Sequence, residues 1–190
     1  MKNLLLLLSF LFIAQYSYSQ DAGLRVYSGI TSMSNRVQAI TPMGTSHNGF
    51  HFGADGRLNG GGMFFVLGVR LTRIDLRASE ESKYFSNESA HLIFGGRVGL
   101  GWHLIQFGNG ISIRGKALAQ LDSNVSYEEE LLSAPYDSLV DAAAGGVVGL
   151  GLEFKGLTLD VEYEYGLVNV YSLQKDSKAD VWSVSGGFFF

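Results

Sequence analysis

Between residues 157 and 165 the chain alternates without a fault: Leu157, Leu159, Val161, Tyr163 and Tyr165 fall on one face, Thr158, Asp160, Glu162 and Glu164 on the other. A helix would scatter those carboxylates around its circumference, whereas a strand lines them up. The same period recurs in Ile111 to Asp122, where Ile111, Ile113, Ala117 and Leu121 oppose Ser112, Arg114, Lys116, Gln120 and Asp122, with Leu118 breaking the pattern. From His91 to His103 an apolar face of Leu92, Phe94, Val98, Leu100 and Trp102 opposes His91, Gly95, Arg97, Gly99, Gly101 and His103. From Asp141 to Lys155, Val148, Leu150, Leu152 and Phe154 oppose Gly145, Gly149, Gly151, Glu153 and Lys155. Asn48 to Leu58 and Met63 to Leu76 alternate less cleanly; Gly23 to Thr31 and Asp180 to Phe190 supply the first and last strands. The pattern predicts eight strands.

The connections alternate as well. Ser32 to about His47 is long and Asn59 to Gly62 short; Asp75 to Ala90 is long and Gln106 to Gly110 short; Ser123 to Val140 is long, Lys155-Gly156 a tight turn, and Ser172 to Ala179 intermediate. A membrane barrel produces this asymmetry, with short turns on the periplasmic side and longer loops outside. A soluble sandwich has no reason to.

Alternation leaves open which face meets lipid, because a soluble lipocalin-like barrel alternates with its faces reversed. Volume decides between them. An eight-stranded barrel has an interior just wide enough to be filled by side chains, and a face carrying Phe94, Trp102, Phe154, Tyr163, Tyr165, Trp182, Phe188 and Phe190 is too bulky for it. The glycine-rich, charged face fits a narrow polar interior. Taking the short turns as the lower end, Trp102, Phe154, Phe188 and Phe190 lie low, and Phe50, Phe52, Tyr165, Tyr171 and Trp182 lie high. Two aromatic girdles around an aliphatic belt match the two membrane interfaces.

Composition adds an address. Met1-Lys2-Asn3, an apolar run from Leu4 to Ala14, and the small pair Ser17 and Ser19 read as a signal peptide over residues 1–20, which leaves 21–190 as one barrel domain. The apolar run is shorter than the roughly 20 residues a spanning helix needs. With no cysteine in the chain, neither a lipid-anchored lipoprotein nor a disulfide-stapled domain is available. Cleavage removes Lys2 and no acid, taking the net charge from −4 to −5 without a basic block, so nucleic acid is not expected as a partner.

Counting back by twos from Phe190 gives Phe188, Gly186, Val184 and Trp182. A terminal Phe with apolar residues at alternate positions resembles the signal read by the barrel assembly machinery of outer membranes. The segment Gly149-Leu150-Gly151-Leu152-Glu153-Phe154-Lys155-Gly156, with Leu157 to Val170 after it, resembles the penultimate hairpin of the PorT-like outer-membrane β-barrels of Bacteroidetes. The resemblance is strongest over the last three strands. It implies a small eight-stranded barrel in a Gram-negative envelope. One member of that family serves the type IX secretion and gliding apparatus, but the shared residues are structural and that role is not carried over.

The inward charges are the main candidate site. Arg25, Arg57, Arg70, Arg97, Arg114 and Lys116 face Asp55, Glu153, Asp160, Glu162 and Glu164, and the inward glycines of the fourth and sixth strands leave room for the long cations of the fifth. Unpaired charges in so narrow a space would be costly, so a structural ion-pair network is expected, with a charge-lined pore as the alternative. Among the histidines, His91 and His103 lie at opposite ends of one strand, and His47 and His51 lack a third ligand at useful spacing, so no metal or other cofactor is expected. Ser46, His47 and His51 have no orienting acid in view for a lipid-modifying enzyme. Gly95-Gly96 and Gly145-Gly146 lie inside strands and do not open helices, which excludes a nucleotide loop. The acidic run Tyr127 to Glu130 reads as solvated; the long loops are also a candidate contact surface for a protein partner or for divalent-bridged lipopolysaccharide.

The expectation is therefore an all-β protein: a closed, eight-stranded, antiparallel, up-and-down transmembrane barrel. Its expected function is non-enzymatic and structural or partner-binding, for instance as an accessory of secretion or envelope assembly. The alternatives are a narrow porin-like solute channel and a lipid-modifying enzyme.

Overall fold

The computed structural model describes residues 22–35, 47–60, 62–75, 90–107, 110–126, 140–169 and 178–190. Residues 1–20, read above as a leader, Ser46, Tyr171 and most of each long connection lie outside them. Eight strands follow in order: β1 (Ala22–Asn35), β2 (His47–Gly60), β3 (Met63–Asp75), β4 (Ala90–Phe107), β5 (Ile111–Ser126), β6 (Ala142–Phe154), β7 (Leu157–Gly166) and β8 (Ala179–Phe189). Each pairs antiparallel with the next, and β8 returns to β1. Along the seam Arg25 to Asn35 pair with Phe189 to Ala179, and beyond this ladder Phe190 N–H donates to Leu24 O at 2.8 Å and Leu24 N–H to Phe190 O at 3.1 Å. Closure leaves no open sheet edge, the condition for a strand-built span in hydrocarbon. No helix of the described residues is long and apolar enough to cross a membrane.

The outer surface carries the apolar half of every alternating run. Leu67, Leu121, Leu150 and Val148 stand exposed at mid-height, and Phe52, Trp182, Phe188 and Phe190 towards the ends. Tyr163 and Trp182, opposite each other on β7 and β8, pack with ring centroids 4.8 Å apart.

The turn joining β6 to β7 shows how one end is drawn tight. Lys155 (φ 48°) and Gly156 (φ 87°) both take left-handed backbone, the geometry of a two-residue hairpin turn that matches strand twist. Lys155, placed by the sequence pattern on the glycine-rich inner face, is in fact the exposed first residue of this turn, its ammonium 5.4 Å from the Phe154 ring centroid.

Two further expectations need correction. The fourth and fifth strands run on to Phe107 and Ser126, past the ends read from alternation at His103 and Asp122. The reason is a pair of register shifts, between His103 and Ile105 and between Leu92 and Ile93, each of which breaks period two. β1 likewise continues through Ser32 to Asn35, into what read as loop.

The interior is also less polar than expected. Leu118, the exception in its run, points inward with Phe64, Val66 and Val147 to form one apolar cluster; Met33, Ile74, Ala179 and Val181 form a second. These inward apolar residues are why β3 looked poorly alternating: both of its faces are largely hydrophobic. Close approach explains the inward glycines of β4, since a Cβ on Gly101 would lie 2.1 Å from the Phe64 ring.

Candidate functional site

The strands lay the charged residues on the inner wall by parity alone, and closure then brings them together. Arg25, Arg57, Arg70, Arg97, Arg114, Lys116, Asp55, Asp160, Glu162 and Glu164 are all buried, and Glu153 is half-buried near the turn end.

The contacts run across the lumen as well as between neighbours. Glu162 on β7 accepts from Arg97 on β4 at 2.8 Å, lies 3.7 Å from Arg70 on β3, and contacts the Lys116 ammonium on β5. Asp160, two positions lower, meets Arg25 at 2.5 Å, Lys116 at 3.0 Å and Arg114 at 3.2 Å. Glu153 holds both Arg114 (2.7 Å) and Arg57 (3.0 Å), and Glu164 takes Arg70 at 2.8 Å. Each of these four carboxylates therefore joins strands that are not adjacent in the sheet. The glycines of β6 make the room: a Cβ on Gly149 would press on Lys116 and Glu162, and one on Gly151 on Asp160 and Arg114.

Several members of this set escaped the sequence reading. Tyr27, fully buried, receives a hydrogen bond from Arg97 at 2.7 Å, donates to Asp55 at 3.4 Å, and lies under the Arg25 guanidinium. Its parity with Arg25 is the signal in the sequence that could have found it. Gln120 donates to Asp122 (2.9 and 3.0 Å) and to Glu164 (2.9 Å), tying two carboxylates together. Phe189, between the outward-facing Phe188 and Phe190, turns inward and lies 4.7 Å from the Arg57 guanidinium at the turn end.

The aromatics expected at the membrane interfaces divide as follows. Phe154, Phe188 and Phe190 are exposed near the β6–β7 turn and the β1–β8 seam, with Trp102 half-exposed beside Met63. Tyr165 and Trp182 are exposed towards the loop end.

The histidines stay apart. His47, His51 and His91 are buried on the inner wall near the loop end, and the His51 ring stands edge-on to Tyr27 at 6.0 Å. His91 bonds Asn124 at 2.8 Å, while His103 packs on Phe64 at the turn end, 5.3 Å between centroids. Among the described residues no group of three or more His, Cys, Asp or Glu could hold a metal ion.

Two solved barrels share this architecture. Neisserial surface protein A superposes with a TM-score of 0.59 at 13% identity, over 89% of this chain and 97% of that one. OprG of Pseudomonas aeruginosa gives 0.52 at 10% identity, over 90% of this chain and 96% of that one. The fold is that of the small outer-membrane barrels. No family model and no curated protein matches the chain. At such identities the likeness carries architecture, and the lumen residues have to be read for themselves.

Proposed function

We propose that this protein is an integral barrel of a bacterial outer membrane whose lumen is a sealed structural core, and that its role is structural or partner-binding through its long loops. The observation that carries the reading is the ion-pair lattice across the lumen: Arg97 and Arg70 reach Glu162 and Glu164 from the opposite wall, with Arg25, Arg114 and Lys116 converging on Asp160 below. Beside it the cluster of Phe64, Val66, Leu118 and Val147 fills part of the remaining width. A conducting path would have to break both, with buried charges left unpaired. The apolar outer belt supports insertion into a bilayer, and a leader over residues 1–20 supplies export.

Within this class, the likeness of the β6–β7 hairpin to PorT-like barrels supports placement in a Bacteroidetes envelope, where a secretion or envelope-assembly accessory is the form of partner-binding we favour. Planar-bilayer recording tests the sealed lumen: purified protein should give negligible conductance, and steady open channels would overturn the proposal. Crosslinking in cells tests the partner role, for which a specific envelope protein captured through the loops is the expected result.

A further inference from the structure

At the turn end the wall of the barrel is uneven. Met63, the first residue of β3, pairs with Trp102, and His103 N–H reaches Gly62 O at 2.9 Å. β4 then continues through Leu104, Ile105, Gln106 and Phe107. Over that stretch its pairing among the described residues is with β5 alone: Ile105 with Ile113, Gln106 with Ser112 and Phe107 with Ile111. The β4–β5 hairpin therefore hangs below the β2–β3 turn, by on the order of 10 Å for strands inclined about 40° to the barrel axis.

The register shift between His103 and Ile105 decides which side chains of this extension face out. Unbroken alternation from Trp102 would place Leu104 and Gln106 outside and turn Ile105 and Phe107 in. The extra residue resets the parity. Leu104 lies over Gly115 on the outer face, where a Cβ on that glycine would come within 3.5 Å of it. Ile105 and Phe107 follow Ile113 and Ile111 outward, which leaves Gln106 and Ser112 on the inner side. Leu104, Ile105, Phe107 and Ile111 thus stand exposed together on one face.

This face is continuous with the outer wall. Pair by pair across the sheet, Phe107 leads to Ile111, Ile111 to Phe154, Phe154 to Leu157 and Leu157 to Phe188, every one of them apolar and exposed. A contiguous apolar surface of this kind marks a contact. We propose that the outer face of the β4–β5 hairpin is a lipid-contact surface, seated in the interfacial layer of the leaflet at the turn end, so that the barrel reaches deeper into the membrane boundary here than at the β2–β3 turn. Its occupant is lipid because the face prolongs the apolar belt without a polar break. The backbone sets the depth: a strand paired on one side leaves polar groups that hydrocarbon cannot satisfy, whereas the interface keeps them wet. The inference rests on the reading of this chain as a membrane barrel and adds how the barrel is seated.

Single tryptophans report that depth. In a background with Trp102 and Trp182 replaced by phenylalanine, Phe107→Trp, Gln106→Trp and Leu67→Trp, all at exposed positions, are refolded into phosphatidylcholine vesicles. The lipid is brominated either high on its chains, next to the headgroup, or near the bilayer centre. Phe107→Trp should lose most of its emission to the shallow bromine and little to the deep one. Gln106→Trp, its neighbour on the opposite face, should be quenched by aqueous iodide and by neither lipid. Leu67→Trp, at mid-height, should be quenched by the deep bromine and spared by iodide. Ile111→Trp repeats the measurement from the other strand should Phe107→Trp fail to refold. Iodide quenching of Phe107→Trp as strong as that of Gln106→Trp, with Leu67→Trp still quenched by lipid, would overturn this inference and leave the membrane reading standing. So would a Phe107→Trp shielded from iodide and bromine alike, the mark of a second copy covering the face. A Leu67→Trp that neither lipid quenches would overturn the membrane reading, and this inference with it.

Discussion

Replacing Glu162 with glutamine tests the lumen lattice at its centre. The side chain is 3% exposed and faces three cations: Arg97 at 2.8 Å, Arg70 at 3.7 Å and the Lys116 ammonium. Glutamine keeps the shape and removes the charge. Removing one partner of a buried pair costs about 3–5 kcal/mol, because the other charge stays buried. Here each cation keeps a second contact: Arg97 with the Tyr27 hydroxyl, Arg70 with Glu164, and Lys116 with Asp160. The lower end, about 3 kcal/mol, is therefore expected. With a urea slope of about 1–3 kcal/mol per molar, the unfolding midpoint should fall by about 1–3 M. The assay is urea unfolding of barrel refolded into phospholipid vesicles, followed by the fluorescence of Trp102 and Trp182. Glu153→Gln is the internal comparison: its carboxylate is 19% exposed, water can replace the lost contacts with Arg57 and Arg114, and a cost nearer 1 kcal/mol is expected. A Glu162→Gln midpoint indistinguishable from wild type, or a larger loss from Glu153→Gln, would refute the reasoning.

Three further outcomes follow from the packing. Gly101→Ala should destabilise the barrel by about 1–3 kcal/mol through overpacking against Phe64, and Phe64→Leu in the same chain should recover most of the loss; thermal unfolding of the single and double variants checks both. Lys155→Asn, which places the preferred Asn-Gly pair in the left-handed turn, should raise the unfolding midpoint by the equivalent of about 0.5 kcal/mol, and a lowered midpoint would contradict the turn assignment. Brominated lipid chains should quench both tryptophans in single-tryptophan variants, and quenching by aqueous iodide alone would contradict the outward placement of Trp102 and Trp182.

The outer face of this protein was legible because it is a local property. Whether Leu159 points out or Glu162 points in is set by parity along one strand, and a barrel with an apolar outer wall puts the apolar parity outside. The eight strands, the long and short connections and the list of inward charges all follow from that period, which the structure shows closed into a barrel. Where parity is interrupted, at the register shifts beside His103 and Leu92, the ends of β4 and β5 were lost.

What the sequence left open depends on register between strands and on height in the closed barrel, which are set by distant pairings. Only closure brings Arg97 of β4 opposite Glu162 of β7, or places Tyr27 under Arg25 and against Asp55. Leu118 read as a fault in a polar run until the fold showed it packed with Phe64 over glycines. Alternation determined the wall, and the three-dimensional meeting of its inner face determined the core and the site.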